Sequence, residues 1–294
     1  MEYEFYDSRY GFPLECMNFY DKLTSYERYL HLNDPNLRDF YTIDIFYQII
    51  QNHIFDWNED LKQFILRCQE YIYDKVENNT LLTFWRSRIQ TRIKIVLTSD
   101  QLEFGLPFTL ENYIFIPYSM IFKNYRLNNY HRMAQILFHE RIHITQRMEG
   151  KANKMNIFTL LSDKLGYIYY DTKFPPFIYK NEVVKNWIQN PDTYEHGVWF
   201  YKYKDNLYFY ILNVKEFKGN EKRKLERIGF VYNIQSKYWT RTNFIPFKNK
   251  FAQYEHPYEI ISEALVDAVF KGFLITSDSE DITKWTSDYI KYNK

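Results

Sequence analysis

Three side chains in the stretch Leu137-Phe138-His139-Glu140-Arg141-Ile142-His143-Ile144 have the types and spacing for hydrolytic chemistry. On a helix, His139 and His143 leave one face a turn apart. Two neutral imidazole nitrogens so placed can bind one tetrahedral Zn²⁺. Glu140 then points along the edge of that face, where its carboxylate can reach a metal-activated water without ligating the metal, as a general base must. The bland alternative is a structural helix that carries the pattern by chance. It would leave two histidines and a glutamate in an apolar setting, which is costly unless something satisfies them. The metal reading is preferred.

The elements that must position these residues can be read around them. Arg132 to Arg147 has no Gly or Pro and carries Met133, Ile136, Leu137 and Ile144, so one buried helix is expected. Upstream, Cys16–Leu32, Leu37–Phe55 and Asn58–Val76 show apolar residues at three and four spacing, and Asn58 suits an N-cap. Thr80 to Gln90 reads as a further helix. Ile93 to Leu97 and Asn112 to Pro117 read as strands flanking a turn at Gly105–Thr109. Downstream, Phe158 to Tyr170 reads as a helix, and Phe174–Phe177 as a break. Val198–Tyr203 and Leu207–Val214 form a hairpin pattern, as do Ile228–Tyr232 and Lys237–Thr242. Lys215, Lys218, Lys222, Arg223, Lys224 and Arg227 alternate with Glu216, Glu221 and Glu226, the pattern of a solvated loop. Pro257 suits the first turn of an amphipathic helix over Tyr258–Phe270.

Around Tyr130–Arg147 the chain resembles the zincin superfamily of metallopeptidases, and more loosely so from Arg92 to Phe273. The resemblance implies an α+β fold. Residues 1–78 form a helical N-terminal region, and residues 79–294 a zincin-like domain with an aromatic-rich β insertion at about 190–245. Within the superfamily, a third His six residues after the second does not fit, because that position is Glu149. Glu259-Ile260-Ile261-Ser262-Glu263 resembles the segment in which gluzincins supply a Glu as third ligand. Carried over, Glu259 ligates Zn²⁺ and Glu263 accepts the ring N–H of a ligand histidine. A one-turn shift, with Glu263 as ligand and Asp267 behind it, stays open, as do Glu149, His196 and His256. Zincins also pair extended substrate on a sheet edge, which the resemblance places on Asn112, Tyr113, Ile114 and Phe115. Its implied activity is endopeptidase action on protein or peptide substrates.

The 294 residues suffice for one large domain or two small ones. Lys+Arg 38 against Asp+Glu 37 supplies no basic field and argues against a nucleic-acid partner. The longest apolar run, Tyr113–Phe122, is too short to span a bilayer, so no membrane partner is expected. Two cysteines and the absence of an apolar leader in the first residues point to an intracellular, cytoplasmic protein.

Overall fold

A computed structural model of the chain describes residues 2–34, 42–78, 92–152, 156–170, 186–215, 223–243 and 256–270. It is a mixed α+β protein that divides into two compact units, Met1–Thr145 with Lys215–Lys224, and Gln146–Val214 with Leu225–Lys294. The expected helix at Thr80–Gln90 and the break at Phe174–Phe177 lie outside the described residues.

The first unit is built on a sheet whose centre is β3 (Arg92–Thr98). One side of β3 takes β1 (Glu2–Phe5) in parallel and, further along, the short β2 (Ile54–Phe55) antiparallel. The other side takes β5 (Tyr113–Pro117) in parallel, and β4 (Phe108–Leu110) closes the edge antiparallel to β5. Ile93, Ile95, Val96 and Leu97 are buried, and so is every residue of β5, as expected of parallel strands covered on both faces. The edge expected at Asn112–Phe115 is therefore corrected. β5 is bonded on both sides, the Asn112 carbonyl already accepts from Lys94 N at 3.1 Å, and the edge falls to β4. The N-terminal residues are likewise not a separate helical region, since β1 is a strand of this sheet.

Helices surround it: α1 (Leu14–Asp21), α2 (Ser25–His31), α3 (Ile43–Gln51), α4 (Glu59–Glu77) and α5 (Tyr118–Arg126). Asn58 caps α4 as its type suggests, accepting from Leu61 N. Leu61, Phe64, Ile65, Cys68, Ile72 and Val76 form the buried stripe of α4, which packs on β1 and α5. The single helix expected over Cys16–Leu32 is two. Thr24 and Glu27 form a reciprocal capping box that starts α2 afresh. The end of α2 is clipped by Arg223, whose Nη1 donates to the carbonyls of Tyr29 and Leu32, both at 3.2 Å, while its guanidinium stacks on the Tyr29 ring. Arg223 is thus a helix cap rather than part of a solvated loop.

A buried polar group completes this unit. Glu103 accepts from the Tyr20 hydroxyl at 2.8 Å, and its Oε2 lies 2.7 Å from His31 Nδ1. Glu103, Phe104 and Gly105 all have positive φ (48°, 62° and 68°), a conformation that only the last adopts without strain.

The second unit has an antiparallel sheet in the order β11 (Tyr238–Thr242), β10 (Lys224–Asn233), β9 (Asn206–Lys215), β8 (Val198–Tyr203) and β6 (Tyr167–Tyr170). A short β7 (Trp187–Ile188) also pairs with β9. Both expected hairpins form. Val198, Phe200, Phe209, Ile211, Ile228 and Phe230 alternate onto one face as its core. The helix expected over Phe158–Tyr170 stops early. α7 runs Ile157–Lys164, and Gly166, at φ +88°, turns the chain into β6.

Candidate metal centre

Helix α6 (Tyr130–Ala152) begins where Asn129 Oδ1 accepts from Arg132 N at 3.3 Å and runs through the boundary between the two units. It is longer than the expected Arg132–Arg147 and is buried almost all round its middle. Leu137, Phe138, Ile142 and Ile144 are buried, but so are Glu140, Arg141, His143, Gln146 and Arg147. A helix that buries this many polar groups must give each of them a task.

In the first unit, the guanidinium of Arg141 lies over the Tyr3 ring of β1, 5.2 Å from its centroid. Burial pushes the Tyr3 hydroxyl pKa up, against the opposing pull of Arg141, and burial lowers that of the guanidinium. This anchors the helix on the sheet. Two residues either side of Arg141, and one turn from each other, His139 and His143 turn their rings together, with Nε2 atoms 3.0 Å apart and ring planes at 76°. His143 is fully buried and His139 partly so. Two ligands each about 2.05 Å from one tetrahedral ion stand about 3.3 Å apart, so this spacing suits a shared metal.

In the second unit, Gln146 Nε2 donates to Tyr258 O at 3.0 Å and to Ser262 Oγ at 3.2 Å. Those bonds fix α8 (Pro257–Phe270) against the last turns of α6. His256 caps α8, its Nδ1 accepting from Tyr258 N at 3.1 Å. The Tyr258 hydroxyl pKa is raised to about 12 by burial, against hydrogen bonds with Thr159 and Asn156. Pro257 and that cap put Glu259 in the first turn, fully buried, with its Oε1 accepting from Asn190 Nδ2 at 2.9 Å.

One ligand atom each from His139, His143 and Glu259 lie within 4.8 Å of one another. Among the described residues these three form the group able to hold a metal ion. The donor set, two imidazole nitrogens and a carboxylate oxygen, is that of a three-ligand zinc site. The other candidates fall elsewhere. Glu149 is six residues past His143 on an unbroken helix, about 240° round its axis. His256 is the α8 cap, and His196 packs on the Tyr258 ring at 4.5 Å. Glu263 and Asp267 lie one and two turns beyond Glu259, partly buried and outside the three-residue group.

The sequence did not reveal Gln146, Arg147 and Asn190. Asn190-Pro191 is a turn signal, but nothing in it points to a carboxylate 69 residues away. The chain matches no family model, no curated protein and no solved structure. No helix among the described residues is long and apolar enough to cross a membrane.

Proposed function

We propose that the protein is a zinc-dependent endopeptidase of the gluzincin kind, in which His139, His143 and Glu259 hold the metal. The observation that carries this reading is the convergence of an acid from α8 on the two histidines of α6. When bound, Zn²⁺ would supply Lewis acidity and lower the pKa of a coordinated water toward neutrality. Glu140, next to His139 and buried, would take the proton from the water that attacks the scissile carbonyl and deliver it to the leaving amine. Arg141 would hold the helix in place through Tyr3.

The test is metal content together with hydrolysis of unfolded protein substrates by wild type and Glu140→Gln. The expected result is zinc in both and a loss of about 10²–10⁴-fold in rate for the variant. Equal rates would exclude the enzymatic reading.

A second reading, a zincin-type fold that holds metal with little turnover and serves in protein interaction, draws on one observation. Edge strand β4, where an extended substrate would have to pair, is buried at all three residues. Zinc binding without hydrolysis in either protein would favour it.

A further inference from the structure

The carboxylate of Glu259 is held by a side chain from a turn, and the orientation of that side chain is fixed. Asn190 Oδ1 accepts the backbone N–H of Asp192 at 2.9 Å, closing an Asx turn. Only the oxygen of a carboxamide can accept from an N–H, so the nitrogen must face Glu259 Oε1. The turn is itself tied to α6. Arg147, one turn beyond His143 and 2% exposed, donates Nη2 to Pro191 O at 3.3 Å and pairs through Nε with Glu195 at 2.8 Å. The last turns of α6 therefore fix both α8, which carries Glu259, and the turn that carries Asn190.

The donor type is informative. An Arg or Lys beside a buried carboxylate would serve as its counter-ion and compete with a cation for it. A neutral amide orients the carboxylate without itself acting as a counter-ion to it. Outer partners of this sort act by fixing the angle at which a ligand meets its metal.

We propose that Asn190 is the positioning residue for Glu259 as a metal ligand. Its amide N–H holds the carboxylate in the rotamer that faces His139 and His143. The inference rests on the metal reading above.

The test uses the purified full chain and zinc alone, titrated against a chromophoric chelator, together with the visible spectrum of the protein loaded with cobalt(II). Asn190→Ser keeps an acceptor for the turn but is too short to reach Glu259. Its zinc affinity is expected to fall about 10–100-fold. Its cobalt spectrum should change while the metal-free melting temperature stays near that of wild type. A residue that merely shaped the turn would leave the cobalt bands where they are. Asn190→Asp keeps the turn acceptor and removes the donor, so it also should alter the cobalt spectrum, even if the serine variant does not fold.

Wild-type affinity and an unchanged cobalt spectrum in a folded variant would overturn the role of Asn190. Zinc binding by wild type that is lost in His143→Ala would leave the metal reading standing in that case. A wild type that binds no zinc would remove both.

Discussion

Two carboxylates, one in each unit, are buried with hydrogen-bonding company of different kinds. In the first unit Glu103 gathers a phenol and an imidazole, Tyr20 and His31, from two helices. It does so from a strained backbone, with Phe104 beside it also at positive φ. In the second unit Glu259 sits in an unstrained first helical turn and takes a neutral amide from Asn190. The contrast separates two uses of a buried acid. Glu103 is a knot whose bonds offset local strain and lock the loop before β4. Glu259 is held beside two histidines by the amide of Asn190, a donor that carries no charge.

That difference can be broken experimentally. Glu103→Ala should cost about 3–5 kcal/mol, because it strands two buried polar groups at once. The loss should be the same with and without zinc in urea unfolding. A cost that depended on zinc would merge the two sites into one. Next in size, zinc at about 100 times its dissociation constant should stabilise wild type by about 2.7 kcal/mol. Glu259→Gln should show none of this zinc-dependent gain while keeping its metal-free stability within about 1 kcal/mol. An equal gain in both proteins would remove Glu259 from the site.

The smallest effect concerns His53, which bonds Ser99 through Nδ1 at 2.7 Å. Burial lowers its pKa below the ordinary 6.5, with Asp34 pulling the other way. The unfolded chain then takes up the proton first, so this contribution is intact above pH 6.5 and declines as pH falls below it. His53→Gln should flatten the fall of the urea midpoint as the pH drops below 6.5. Parallel slopes for the two proteins would refute this.

Much of this was legible in the chain. Local signals with their own physics held: Asn58 as a cap, the two aromatic hairpins, Pro257 opening α8, and the two histidines on one helix face. What failed were readings that depend on what lies alongside. β5 looks like a strand in either setting, and only its pairing with both β3 and β4 shows it to be interior. The capping box at Thr24 and Glu27 was there to be read, but the apolar spacing runs straight across it. Arg223 hides among alternating charges, and its target lies about 190 residues earlier. Asn190 is the clearest case. Its turn is a local matter, whereas its donor atom is committed to a helix that the chain has not yet reached.

The boundary inside α6 has an evolutionary corollary. The chain passes from one unit to the other at Thr145, again at Val214, and once more at Lys224. Neither half is a cassette that recombination could move with a single pair of breakpoints. A fragment ending at Thr145 would sever a helix, stripping its last four carbonyls of their partners and discarding Arg223, the clip on α2.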